Sequence, residues 1–94
     1  MAWNEAKRQL VITEHGVDFA EIQDLFQDEF AVYFEDWEHS TEDETRFKVI
    51  GKTAKYGLVM AVFTYQEDDD IWLITARRAE KWMVNEYEEN RKRL

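Results

Sequence analysis

The chain has 94 residues, a length typical of a single domain, and its hydrophobic content of 45% excludes an intrinsically disordered protein in spite of a net charge of −9. It has no cysteine, which excludes disulfide scaffolds, thiol nucleophiles and cysteine-based zinc sites. It also lacks an apolar run long enough to cross a membrane and a signal-peptide pattern, so we expect a soluble, cytoplasmic protein.

The charge is divided unevenly between the two halves of the chain. Residues 1–45 hold 13 acidic and two basic residues, whereas residues 46–94 hold eight acidic and ten basic residues. A protein whose whole surface attracts nucleic acid would not have this composition. The asymmetry instead allows an anionic ligand on the C-terminal half and a basic partner on the N-terminal half.

Two helices are predicted at the start of the chain. Asn4 can cap a first helix over residues 5–14, and Gly16 stands where a left-handed residue commonly ends a helix. Asp18 and Glu21 resemble a capping box for a second helix. The apolar face of this second helix would hold Phe19, Ile22, Leu25 and Phe26.

Four antiparallel strands and a closing helix are predicted next. The hydrophobic period changes, and the strand candidates are residues 31–34, 46–53, 58–65 and 71–76. The third candidate is apolar almost without interruption, as expected of a central strand that is covered on both faces. From Ala79 onward, Trp82, Met83 and Tyr87 follow helical spacing. The sequence therefore predicts an α+β domain with two N-terminal helices, a four-stranded antiparallel meander and a C-terminal helix.

Five basic residues near the predicted sheet are candidates for binding an anion. They are Arg46, Lys48 and Lys52 on one face of a strand, and Arg77 and Arg78 where the last strand meets the final helix. Such cations could hold a phosphodiester and stabilise the charge that develops during its cleavage. The alternative is a solvated strand face whose arginines pair with local acids such as Glu80. The pattern alone leaves both interpretations open.

The two histidines and an acidic segment allow other roles. A metal-dependent hydrolase is conceivable if one polar segment supplied the ligands, which would be Asp36, Glu38, His39 and Glu42. Their spacing matches no EF-hand or zinc pattern, and an acidic loop is more often simply solvated. His39 can equally organise that loop. His15 is interpreted as a residue that complements the negative end of the first helix dipole.

Several short motifs, taken in order, resemble those of the BrnT family, the toxin half of type II toxin–antitoxin pairs. Near the N-terminus and in the middle they are Trp3–Lys7, His15–Glu21, Asp36–Ser40 and Arg46–Thr53, and near the end they are Ile74–Ala79 and Tyr87–Glu88. The resemblance runs from Trp3 to Glu88, nearly the whole chain. The ordered set is specific, although each motif alone is weak.

The resemblance implies a RelE-like fold and a ribonuclease without metal or cofactor that cleaves mRNA and arrests translation. It also implies a BrnA-type antitoxin whose ribbon-helix-helix part binds DNA, so that contact with DNA is indirect. We expect a 2:2 assembly. We also expect the antitoxin to cover the sheet face with Arg46 and Lys52 and the strand end near Arg77, since the central strand needs a second covering layer.

The resemblance also implies which residues form the site. Five are candidates for catalysis: Arg46 and Arg77 on the phosphate, His39 and Glu38 in proton transfer or in orienting neighbouring groups, and Tyr87 on the closing helix. Three more would bind the RNA, namely Lys48, Lys52 and Arg78.

The chain departs from the usual pattern of the family at several positions. Glu14 stands where the family usually has lysine, and Trp72, Trp82 and Met83 occupy a region that is usually rich in arginine. Each departure removes a cation or a proton-transfer group from the region that would meet RNA. The alternative function is therefore a catalytically decayed BrnT-like domain that acts as a protein-binding module.

Overall fold

A five-stranded mixed sheet forms the centre of the protein, whose computed structural model describes residues 1–93. In chain order the elements are β1 (Ala2–Trp3), α1 (Glu5–His15), two 3-10 helices (Phe19–Glu21 and Gln23–Gln27), β2 (Val32–Glu35), β3 (Phe47–Thr53), β4 (Gly57–Tyr65), β5 (Ile71–Arg78) and α2 (Lys81–Arg93). The strand order is β1-β5-β4-β3-β2, in which only β1 is parallel to its neighbour. The predicted α+β class is confirmed.

The four predicted strands form the antiparallel meander, but the expectation of a purely antiparallel four-stranded sheet is wrong. The segment Ala2–Trp3 adds a fifth strand, which pairs in parallel with Trp72 and Leu73 of β5. A two-residue strand is too short to show a hydrophobic period. The N-terminal ammonium group, 2.6 Å from a carboxylate oxygen of Asp70, fixes this segment at the sheet edge.

The first helix forms as its end signals predict. The side chain of Asn4 accepts a hydrogen bond of 3.0 Å from the backbone N–H of Lys7, which satisfies one free donor of the first turn. Gly16 ends the helix in the left-handed region, at φ 67°, where a side chain would be strained. The helix lies against β5 and buries Val11.

The predicted second α-helix is wrong, because two short 3-10 helices occupy this segment. Its buried residues Phe19, Ile22 and Leu25 are spaced by three, and a 3-10 helix aligns such residues on one face. The capping box does not form as expected. The backbone N–H of Asp18 donates to the hydroxyl of Tyr56 at 3.1 Å instead of to a glutamate of the same turn.

Side chains alternate between two covered faces of the sheet. On the α1 face, the first helix and the 3-10 helices pack over the strands and bury Val11, Val17, Phe19, Ile22, Leu25, Val49, Val59, Ala61, Phe63, Leu73 and Ala76. On the α2 face, the last helix packs over a smaller cluster of Ile50, Met60, Val62, Met83 and Tyr87. The central strand β4 contributes to both clusters, which confirms the prediction that it is covered on both sides. Part of the α2 face is left open.

None of the helices within residues 1–93 combines the length and the apolar composition that crossing a membrane would need.

Candidate functional site

A cleft of about 240 Å³ lies on the part of the α2 face that α2 leaves open, and we call it the cationic cleft. Its lining brings together residues from α1, the segment after β2, and strands β3, β4 and β5: His15, Asp36, His39, Arg46, Lys48, Met60, Val62, Ile74, Thr75 and Arg77. Met60 and Val62 also belong to the core cluster beneath α2, so the floor of the cleft is a continuation of that core.

The sheet register sets the two sides of the cleft. Lys48 of β3 is paired with Val62 of β4, and Arg77 of β5 is paired with Met60 of β4. One strand therefore separates the two cations, and their partners on it are two residues apart, which together corresponds to about 12 Å between their backbones. The apolar side chains of β4 lie between them, so the cleft has an uncharged floor and charged walls.

The loop between β2 and β3 closes the cleft at one end. The backbone N–H of Asp36 donates to the carbonyl of Arg46 at 2.8 Å. The hydroxyl of Ser40 donates to the carbonyl of Asp36 at 2.8 Å and accepts from the N–H of Arg46 at 2.9 Å. These bonds fold the loop back on itself, so that His39 reaches the same cleft as Arg46 although seven positions separate them along the chain.

Asp36 is the buried carboxylate of the site, with 4% of its surface exposed. Its Oδ2 lies 2.9 Å from Nδ1 of His39, and its Oδ1 lies 3.9 Å from Nζ of Lys48. Since an ionised carboxylate only accepts hydrogen bonds, the pairing puts a proton on Nδ1 and leaves Nε2 with the free lone pair when the imidazole is neutral. Asp36 therefore orients the imidazole through a hydrogen bond, and its charge attracts the ammonium group of Lys48.

Each arginine of the cleft is paired with a glutamate of its own chain. Nε of Arg46 lies 2.8 Å from Glu44, whose side chain is 43% exposed. A terminal nitrogen of Arg77 lies 2.6 Å from Glu80, whose side chain is 47% exposed. Exposed pairs of this kind contribute little to stability. The glutamates can therefore move away when a stronger anion enters the cleft.

The structure places Tyr87, a predicted catalytic residue, outside the cleft. Its ring is buried beneath α2 with 4% exposure, and its hydroxyl donates to Oδ2 of Asp28 at 2.7 Å. Burial, together with the hydrogen bond to the carboxylate, raises the pKa of Tyr87 to about 12. Burial alone would raise the pKa of Asp28, but hydrogen bonds from the N–H groups of Lys52 and Phe30 and from Tyr87 outweigh it and lower that pKa.

Three further predicted site residues also lie outside the cleft. Lys52 is exposed near the end of β3, where its backbone N–H donates to Asp28 at 2.9 Å. The guanidinium of Arg78 lies 5.2 Å from the ring centre of Tyr56, a residue packed against the α1 face. Glu38 is exposed in the turn between Asp36 and His39 and is not part of the cleft lining. Of the eight predicted residues, the structure brings together Arg46, Lys48, Arg77 and His39.

Two titratable residues of the cleft lining, His15 and Asp36, are not among the predicted site residues. His15 was interpreted only as a complement to the helix dipole, yet it lies at the cleft where α1 ends. Asp36 was considered only as a possible metal ligand. Its spacing of three residues from His39 was the signal for a carboxylate–imidazole pair. Among residues 1–93, no three His, Asp or Glu side chains are arranged to hold a metal ion.

Comparison with known proteins adds a family and a fold. A family model described as "Ribonuclease toxin, BrnT, of type II toxin-antitoxin system" matches residues 3–82, a range that contains every residue of the cleft lining. Among solved structures, the chain is similar to the 1.1 Å crystal structure of the Brucella abortus ribonuclease toxin BrnT. The TM-score is 0.67 and the identity 27%, and the match covers 86% of this chain and 96% of that one. No curated protein sequence matches the chain.

Proposed function

The chain belongs to the BrnT family of ribonuclease toxins of type II toxin–antitoxin systems, and we propose that it is a metal-independent endoribonuclease that cleaves mRNA and so arrests translation. We also propose that its fold is RelE-like, as the resemblance of its motifs to the BrnT family implies. The observation that supports it best is the cationic cleft, where the side chains of Arg46, Lys48, Arg77 and His39 line one surface. This combination provides charge for a phosphate and an imidazole for proton transfer.

The arginines and the lysine are proposed to bind the scissile phosphate. Guanidinium groups bind phosphate oxygens in a bidentate manner, so the phosphodiester would replace Glu44 at Arg46 and Glu80 at Arg77. The charge on the phosphate oxygens grows as the new bond forms, and fixed cations aimed at them stabilise that transition state. Lys48, whose ammonium group lies 3.9 Å from Asp36, adds a third positive charge. These side chains would supply the positive charge that a metal ion provides in other nucleases.

The two imidazoles of the cleft are proposed to transfer the protons. The 2′-hydroxyl oxygen of the RNA attacks the neighbouring phosphorus and the P–O5′ bond breaks, which gives a 2′,3′-cyclic phosphate and a 5′-hydroxyl. His39 takes the proton of the 2′-hydroxyl through Nε2, since Asp36 holds Nδ1 and stabilises the imidazolium that forms. His15 gives a proton to the leaving O5′. Glu38 and Tyr87 have no part in this scheme.

We propose a BrnA-like antitoxin with a ribbon-helix-helix part as the partner, in a 2:2 heterotetramer that covers the cationic cleft. Trp37 supports this proposal, since its side chain is 79% exposed directly after Asp36, and exposed aromatic residues commonly anchor protein partners. Hydrogen exchange of the complex should show protection in residues 36–48 and 74–77. Protection restricted to α1 and the 3-10 helices would show that the antitoxin does not act by covering the cleft.

A protein-binding module that has lost catalysis is the second candidate function. The observation that favours it is that both cleft arginines are paired with glutamates. These pairs, like the net charge of −9, lower the attraction of the protein for RNA. Such a module would bind the antitoxin and leave RNA intact.

Expression of the chain alone in bacterial cells separates the two functions. The nuclease should arrest growth and degrade mRNA, and Arg77→Ala should relieve both effects. Arg78→Ala is the matched control, because it removes a neighbouring arginine whose side chain contacts Tyr56 and not the cleft. We expect this control to remain toxic. Normal growth with intact mRNA, at a confirmed level of wild-type protein, would overturn the nuclease proposal and support the binding module.

A further inference from the structure

Trp82, in the first turn of α2, is a large apolar side chain that remains 46% exposed. Its ring packs at 6.4 Å from that of Phe34, and its Nε1–H donates to Oε2 of Glu80 at 3.2 Å. These contacts fix the indole in one orientation while about half of its surface faces solvent. A polar residue at this position would not expose apolar surface to water, so the exposed indole surface requires an explanation.

The two contacts of Trp82 both lead to the cationic cleft. Oε1 of Glu80 lies 2.6 Å from the guanidinium of Arg77, so one carboxylate holds the indole N–H and a cleft cation at the same time. Phe34 is paired with Lys48 in the sheet register and belongs to the cluster on the α2 face. The indole is thus connected through Glu80 to Arg77 of β5 and through Phe34 to Lys48 of β3. It lies beside the cleft, on the side where α2 begins.

We propose that Trp82 is a stacking surface for a base of the RNA strand, and that Glu80 is the positioning residue, because its Oε2 keeps the hydrogen bond from the indole N–H when the phosphate replaces its Oε1 at Arg77. The inference rests on the proposed RNA-cleaving function. Proteins that bind single strands place aromatic rings beside the cations that hold the phosphates, and each base then stacks on a ring. All four bases have a face that can stack, so Trp82 adds affinity with little sequence preference.

Binding of a fluorescein-labelled octaribonucleotide, with 2′-O-methyl groups in place of every nucleophilic hydroxyl, tests the proposal without cleavage. Trp82→Leu should weaken binding about tenfold, within the range for loss of one base stack, whereas Trp82→Phe should stay within about threefold of wild type. Tyr33→Leu is the matched control. Tyr33 is also an aromatic residue with 49% exposure, but it packs on Phe63 of the α1 face, so no change is expected.

Two glutamate variants test the positioning role. The amide oxygen of Glu80→Gln can still accept from the indole N–H, whereas Glu80→Ala removes the acceptor. We expect Glu80→Gln to bind the oligonucleotide at least as tightly as wild type, and Glu80→Ala to bind it more weakly than Glu80→Gln. A merely structural role for the side chain would not produce this order at equal thermal stability.

Three results would overturn the inference. If Trp82→Leu binds as tightly as wild type while Arg77→Ala loses binding, the cleft binds RNA and the indole does not. If Trp82→Leu keeps its RNA affinity but loses affinity for the antitoxin, the indole is a protein contact. If the wild-type chain does not bind the oligonucleotide at all, both this inference and the proposed nuclease function fail.

Discussion

Replacement of Tyr87 by phenylalanine separates a structural role from a catalytic one. The substitution removes one hydroxyl and keeps a buried ring in place. The lost bond is the 2.7 Å hydrogen bond to Asp28, which also accepts from the N–H groups of Lys52 and Phe30 at 2.9 Å each. Asp28 therefore connects α2 to β3 and to the segment before β2, away from the cationic cleft. We expect Tyr87→Phe to lower stability and to leave RNA cleavage intact.

The size of the stability loss follows from what remains around Asp28. A hydrogen bond to a charged group contributes about 1.5–3 kcal/mol. Because two N–H donors still hold the carboxylate, its charge is not left unpaired, so the lower end of this range applies. A loss of about 1.5 kcal/mol lowers the melting temperature of a domain of this size by about 6–12 °C.

The pH dependence gives the same prediction a second test. The pKa of Tyr87 is about 12 in the folded protein, above its usual value of roughly 10 in an unfolded chain. The stabilisation is therefore complete below pH 10 and is lost as pH rises towards 12. The pKa of Asp28 is lowered in the fold, so its stabilisation is present above roughly pH 4 and is lost in stronger acid. The stability difference between wild type and Tyr87→Phe should therefore narrow at both extremes.

Urea unfolding followed by tryptophan fluorescence gives the free energy of unfolding of both proteins, and cleavage of a labelled RNA well below the melting temperature gives their rates. We expect a lower urea midpoint for Tyr87→Phe and a cleavage rate within about twofold of wild type. An unchanged midpoint together with a rate lowered about a hundredfold would refute the reasoning, since Tyr87 would then act in the chemistry.

Three further predictions concern packing, charge and proton transfer. Gly51→Ala should destabilise the protein by about 1–3 kcal/mol in urea unfolding, because its Cβ would lie 2.9 Å from the carbonyl oxygen of Leu25; an unchanged midpoint would show that this contact relaxes freely. Glu44→Gln should bind the 2′-O-methyl oligonucleotide more tightly, because the substitution frees Arg46 in the cleft. Glu88→Gln, which breaks an arginine pair on α2, should leave the affinity unchanged, and equal effects of the two variants would contradict the role of the cleft. His15→Ala should slow cleavage of ordinary RNA about a hundredfold but should hardly slow cleavage of a 5′-phosphorothiolate, whose sulfur leaves without a proton, and equal losses on both substrates would exclude His15 as the acid.

The strands were predictable because their hydrophobic period is local information. The alternation of side chains along β3 predicts Lys48 on one face and Val49 on the other, and the structure agrees. The period also explains why Arg77 and Arg78 separate. Both belong to β5, where neighbouring residues point to opposite faces, so only one can line the cleft. The prediction had treated them as one basic pair because it ended the strand at residue 76, two residues too early.

Other features depend on contacts between distant segments. Lys52 shares a face with Lys48, but four residues along a strand displace it by about 13 Å, which puts it beyond the cleft. His15 reaches the cleft only because α1 packs along β5. The apolar spacing of three in the segment after α1 was compatible with an α-helix or a 3-10 helix. No single stretch of sequence shows which distant segments come into contact, so these features could not be predicted.

Cleavage of a short RNA by the purified chain in the presence of EDTA tests the central claim most directly, namely that the cationic cleft cleaves RNA without a metal ion. We expect products that end in a 2′,3′-cyclic phosphate and a 5′-hydroxyl. Arg77→Ala should lower the rate about a hundredfold, as removal of one transition-state donor does in other enzymes, while Arg78→Ala should stay within about twofold. Cleavage that stops in EDTA, or equal rates for the two arginine variants, would contradict the account.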